Sequence, residues 1–222
     1  MNSESPSPQQ PRPIPVWGES FSLQEAFTTG WETFIKHWQL FLVLHAATSC
    51  LLLVADWCVA GTLEGTLPRL IATVLDLGLK LIIGLGLLFV YLRVHDGEHT
   101  EPLDIFDPLP LFWGYAGVMV LYIIAVGVGL VALVVPGIII AAGWALAQYI
   151  VIETDKNPID ALKESWKLTN GHKRTIILFG AITFIINFIG FLLFGLGLLV
   201  TLPVTGVAYA HMYRYFVPKT TL

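Results

Sequence analysis

Four stretches of the chain, near residues 38–60, 70–94, 111–153 and 175–217, are apolar almost without interruption. Each meets or exceeds the ~20 residues that a helix needs to cross a bilayer, and the last two are each about twice one span. Gly127, Gly129 and Pro136-Gly137 lie near the middle of one, and Gly195, Gly197 and Pro203 near the middle of the other. Each long run therefore divides at a turn into two helices. The pattern predicts an all-α polytopic membrane protein of six transmembrane helices in three hairpins, with spans near 38–60, 70–94, 111–130, 137–153, 175–195 and 198–216.

Between these runs the period changes. In NPIDALKESWKLTNGHKR, residues 157–174, Ile159, Ala161, Leu162, Ser165, Trp166, Leu168 and Thr169 fall on one half of a helix. Asp160, Lys163, Glu164, Lys167 and Asn170 fall on the other. Asn157 caps the start, Pro158 suits the first position, and Gly171 suits a left-handed stop. A relative, SLQEAFTTGWETFIKHW, occupies 22–38, where Ser22 and Glu25 form a capping box and Leu23, Phe27, Gly30, Trp31 and Phe34 share the apolar face. Aligned, the two segments match at Ala26 and Ala161, Trp31 and Trp166, and His37 and His172. A third version, EPLDIFD at 101–107, echoes NPIDALK and is cut short by Pro108 and Pro110. The plan is one unit used three times, a cytoplasmic amphipathic helix followed by a transmembrane hairpin. Two placements suit such a helix. Trp31, Trp166, Lys163 and Lys167 can anchor it at the membrane interface, in contact with membrane lipids, or its apolar half can pack on the protein's own helices.

Composition agrees with membrane insertion: 55% of residues are hydrophobic, 13% are charged, and the mean hydropathy is +0.73. The remaining 19–222 reads as a single transmembrane helical domain, preceded by a Pro-rich tail over 1–18 that reads as disordered and not as a secretory signal. Its P-x-x-P spacing, Pro8 to Pro11, also fits an SH3-like groove. Of the twelve Lys and Arg, all but Arg69 and Lys80 lie in the tail, the two long connections and the C-terminus: Arg12, Lys36, Arg93, Lys156, Lys163, Lys167, Lys173, Arg174, Arg214 and Lys219. These segments are expected inside, with both termini cytoplasmic. A net charge of −4, with no basic face clear of the membrane, argues against a nucleic-acid partner. The expected partners are membrane lipids and a second copy of the chain or another membrane protein. Cys50 and Cys58 share the first span, cannot bridge each other, and lack a metal spacing.

The run VVPGIIIAAGWALAQYIVIETDKNPIDALKESWKLTNGHKR, 134–174, resembles the glycerophosphoryl diester phosphodiesterase membrane domain, a prokaryotic family. The likeness rests on Pro136-Gly137-Ile138, Trp144, Glu153, Pro158-Ile159, Ala161-Leu162, Ser165, Leu168-Thr169 and Gly171-His172, and extends more loosely through the last hairpin and to FSLQEAFTTGWETF. It implies an integral protein of a prokaryotic inner membrane. It does not imply phosphodiesterase activity, because no segment carries the His, Glu and Asp constellation of the catalytic domain to which such modules are fused.

Ionisable groups inside the bilayer are expensive, which singles out Asp56, Asp76 and Lys80. Asp76 and Lys80 stand four apart and can pair on one face, with Asp56 near the outer end of the neighbouring span. They form either a polar clasp between the first two spans or a proton- or ion-coupled transport site. Asn187, His45, Gln148 and His211 are further intramembrane polar groups, of a kind that bonds neighbouring helices. His95 and His99, beside Asp96 and Glu98 in an acidic connection, have metal spacing if helical, but Gly97 between them favours a loop. Gly84-Leu-Gly86 and Gly195-Leu-Gly197 lack the context of a dinucleotide loop, and no P-loop, H-E-x-x-H or nucleophile elbow occurs. The expectation is a non-enzymatic protein without cofactor or metal, engaged in lipid handling, membrane organisation or scaffolding, with a small coupled transporter as the alternative.

Topology is directly measurable. In a background lacking Cys50 and Cys58, a cysteine at Lys163 is expected to resist an impermeant thiol reagent in sealed cells and to react after permeabilisation. One at Thr62 is expected to react from outside. Labelling of position 163 in sealed cells, or of both positions from the same side, refutes the six-span arrangement with both termini inside.

Overall fold

The computed structural model describes residues 21–61 and 65–217. Among the described residues every regular element is helical. The elements are α1 (Leu23–Lys36), α2 (Trp38–Gly61), α3 (Thr66–His95), α4 (Phe112–Ala132), α5 (Val134–Gly143), α6 (Ala147–Thr154), α7 (Pro158–Leu168), α8 (Lys173–Leu192) and α9 (Leu198–Phe216). Short 3₁₀ turns at Pro102–Phe106 and Leu109–Leu111 precede α4. The tail over 1–18, Thr62 and Lys219 lie outside the described residues.

Ser22 and Asn157 cap their helices, with the Ser22 half of the expected box in place. Ser22 Oγ accepts from the Glu25 N–H at 3.2 Å, and Asn157 Oδ1 accepts from the Asp160 N–H at 3.0 Å. In the third copy Glu101 and Asp104 form a reciprocal box, with Pro102 opening the 3₁₀ turn and Pro108 and Pro110 preventing an α-helix. The element order is thus a short segment followed by two longer helical stretches, three times over.

The turns depart from the expected positions. The chain reverses between α4 and α5 at Leu133 alone, which is extended at φ −161° and ψ 129°. Gly129 and Gly137 are not the turn; they face each other and let the two helices touch at backbone distance. The expected span 137–153 is two helices, broken at Trp144–Leu146. The last reversal lies at Leu193–Gly197, where Phe194 and Gly195 both take positive φ. Pro203, expected at that turn, sits inside α9.

Five helical stretches are long and apolar enough to cross a membrane: Trp38–Ala60, Thr66–His95, Pro102–Ala132, Val134–Thr154 and Lys173–Leu192. α9, with 19 residues, is not one of them. It carries Tyr209, His211, Tyr213 and Arg214, and it can do so because protein surrounds it. Val204, Thr205, Val207, Ala208, Ala210, Met212 and Tyr213 are all buried. α1 lies along it: Phe21 packs edge-on to Tyr215, and Gly30 rests against the Val204 carbonyl and the Ala208 methyl. On another side a Cβ at Gly206 would overlap the Tyr91 ring of α3. By contrast the outer parts of α2 and α3, with Leu53, Trp57, Leu67, Val74 and Leu75 exposed, meet little besides each other.

Close approach at Gly30 should be testable by volume. Gly30→Val places atoms against the Val204 carbonyl and is expected to destabilise the protein by about 1–3 kcal/mol, read as a lowered unfolding temperature in detergent. Gly78→Ala, where nothing lies within 4 Å, is expected to leave it unchanged or raise it slightly.

Candidate functional site

The amphipathic helix α7 is built into the break within the membrane-length stretch Val134–Thr154. At Trp144–Leu146 the helical hydrogen-bond ladder is interrupted, and side chains of α7 replace it. The Ser165 hydroxyl donates to the Gly143 carbonyl at 2.9 Å and accepts from the Leu146 N–H at 3.2 Å. The Thr169 hydroxyl also reaches the Gly143 carbonyl, at 3.0 Å. Both residues are fully buried. Position 143 must be glycine, because a Cβ there would overlap the Trp166 ring.

On its outer side α7 forms one wall of a cavity of about 680 Å³ with α4 and α5. Leu121, Ile140, Trp144, Ile159, Leu162 and Trp166 make it apolar, while Lys163 and Lys167 stand at its edge. Lys163 is paired loosely with Asp160 at 3.6 Å and stays largely exposed. Lys173 places its ammonium 3.3 Å from the centre of the Trp166 ring. Packing on the protein's own helices is seen for one face of each amphipathic helix. Ala161, Leu162 and Ser165 of α7, and Ala26, Gly30 and Phe34 of α1, are turned to the protein. Trp166 and Trp31 keep 37% and 50% of their surface open.

The C-terminal ends of α3, α6 and α9 meet at one guanidinium. Arg214 holds Asp96 in a bidentate pair, Nε to Oδ1 at 2.9 Å and Nη2 to Oδ2 at 2.6 Å, and also pairs with Glu153. Tyr213 donates to the other Glu153 oxygen at 2.7 Å. All three charged side chains are nearly buried. Arg93 gathers Glu98, Asp104 and Asp107 at 3.1–3.3 Å beside this knot, so the acidic connection folds around two arginines. Asp96, Glu153 and Arg214 were not singled out as a group by sequence. The partners stand far apart in the chain, and the one local signal is that Glu153 and Arg214 are ionic residues at the ends of apolar runs.

The remaining candidates form one group of three and several pairs. Lys80 Nζ lies 2.7 Å from both Asp56 Oδ1 and Asp76 Oδ2, so the three are together, joining α2 to α3. Asn187 Nδ2 donates to Thr205 at 3.2 Å, between α8 and α9. His45 donates from Nδ1 to the Phe41 carbonyl at 2.9 Å, which leaves Nε2 to accept from the Tyr91 hydroxyl at 2.7 Å. His211 lies 3.1 Å from His95. The loop that Gly97 favours is present: α3 ends at His95, Gly97 takes a positive φ, and His99 is an exposed loop residue near Glu101, so the two histidines do not share a helix face. Among the described residues no cluster of three or more His, Cys, Asp or Glu is placed to hold a metal.

The model of the family described as a domain of unknown function, DUF7847, matches residues 67–220, and the chain belongs to that family. No curated protein and no solved structure matches the chain.

Removing the guanidinium leaves two carboxylates nearly buried without a counter-charge. Arg214→Met is expected to cost roughly 3–5 kcal/mol in thermal or denaturant unfolding. Adding Asp96→Asn and Glu153→Gln is expected to recover much of that loss, and failure to recover any would mean that Arg214 acts by packing alone.

Proposed function

We propose that this protein is a non-enzymatic integral protein of a prokaryotic inner membrane that holds anionic lipid at its cytoplasmic face. In this reading α9 is a sixth span, screened from lipid by its neighbours, and the three units form three hairpins with both termini inside. The observation that carries the proposal is the groove under α7. Its walls are apolar, its length lies beside apolar helices, and Lys163 and Lys167 stand at its edge where a phosphate would lie. An acyl chain fits the first and a headgroup the second. Trp166 and Trp31 sit on the exposed sides of their helices, as interfacial aromatic residues do. The likeness of residues 134–174 to a prokaryotic membrane domain agrees with this setting.

The alternative, a coupled transporter acting through Asp56, Asp76 and Lys80, is less well served. Lys80 already satisfies one oxygen of each carboxylate, and the cluster is open at the side of α2 and α3 instead of facing the interior of the bundle. We read it as a clasp.

The lipid reading is tested by retention. Purified from membranes or nanodiscs containing phosphatidylglycerol and phosphatidylethanolamine, the protein is expected to retain phosphatidylglycerol above its bulk fraction. Lys163→Gln with Lys167→Gln is expected to reduce that enrichment several-fold without changing the unfolding temperature. Equal retention by the double variant would remove the basis of the proposal.

A further inference from the structure

A second cavity, of about 540 Å³ and open at one side, lies among α4, α5, α6, α8 and α9, with Leu88 of α3 at its wall. Its volume is in the range of small-molecule sites. The space exists because small residues line it: Gly180 on α8 has only the Tyr209 hydroxyl near its missing Cβ, at 3.8 Å, and the alanines beside the α5–α6 break leave the rest open. The walls are mostly apolar but include four neutral polar side chains, Tyr122, Gln148, Tyr149 and Tyr209, and no charged one. Tyr149 is 2% exposed, its ring stacks on Tyr213 at 5.1 Å, and its hydroxyl has no hydrogen-bond partner among the described residues. A buried hydroxyl left unpaired is a cost that a hydrogen-bond partner brought beside it would remove.

We infer that this cavity binds a neutral amphiphile, an apolar chain ending in a hydroxyl or ester head, drawn from the surrounding bilayer. An ion is excluded by the lining, which offers no counter-charge to offset its lost hydration. A purely apolar ligand would leave the polar groups unanswered. A monoacylglycerol meets both requirements: its hydroxyls and ester carbonyl match the tyrosines and the Gln148 amide, and its chain matches the alanine and isoleucine walls. The site is separate from the α7 groove, which offers lysines and so selects the opposite headgroup chemistry.

The probe is a diazirine-bearing monooleoylglycerol, added to the full chain in phosphatidylcholine nanodiscs. Saturable cross-linking is expected within residues 138–149 or 176–181, competed by unlabelled monooleoylglycerol and not by oleate. Gly180→Leu fills the cavity and is expected to abolish it. Tyr149→Phe keeps the ring and removes only the hydroxyl, so it is expected to weaken binding about fivefold while the unfolding temperature holds or rises. The variant with Lys163→Gln and Lys167→Gln is expected to label as the parent does, which separates this site from the groove. Labelling that survives Gly180→Leu, equal competition by oleate, or no saturable labelling because water alone fills the space would each overturn the inference.

Discussion

Helices in a membrane gain little from hydrophobic burial against one another, since lipid is as apolar as leucine, so they must approach closely enough for dispersion and hydrogen bonds to hold them. α9 meets that constraint on several sides at once. Gly30 admits α1 against its backbone, Gly206 admits the Tyr91 ring of α3, and Gly190 and Gly197 bring the end of α8 against its start. Everything else is arranged around those contacts. The buried face of α1, the course of α3 and the position of α8 follow from where α9 leaves room.

The same constraint explains why the three short segments differ. α1 and α7 share caps, a tryptophan and an alanine in register, yet they serve different neighbours. α1 uses Ala26 and Gly30 to reach a helix backbone, whereas α7 uses Ser165 and Thr169 to complete one that is broken. The middle copy, shortened by its prolines, contributes the Ile105 carbonyl and side chain against Gly86 of α3. What is repeated is a docking segment ahead of two longer helices, and each docks by its own chemistry.

Much of this was legible in the sequence where the cause is local. Ser22, Asn157 and Pro158 mark helix starts by hydrogen bonds within three residues, and Asp76 with Lys80 is a pair one turn apart. Glycine and proline were less reliable guides to turns. Gly129 and Gly137 serve packing, Pro203 is carried within a helix, and the reversal falls on Leu133, whose side chain gives no warning. The break at Trp144–Leu146 was also hidden, because its stabilising hydroxyls come from residues on another helix. The charge knot was hidden for the same reason: its members are brought together only by the packing of α3, α6 and α9.

That knot also sets an order for biogenesis. Asp96 and Glu153 leave the ribosome well before Arg214, the residue that neutralises them, and they stand at the ends of helices that must already be in the membrane. Until α9 follows, both carboxylates have to remain hydrated at the headgroup level, so α3 and α6 cannot seal against each other. α9 thus closes that end of the bundle. A chain that stops short of it keeps two acidic, open helix ends, a state that differs from the finished protein in the charge it offers to membrane quality-control proteases.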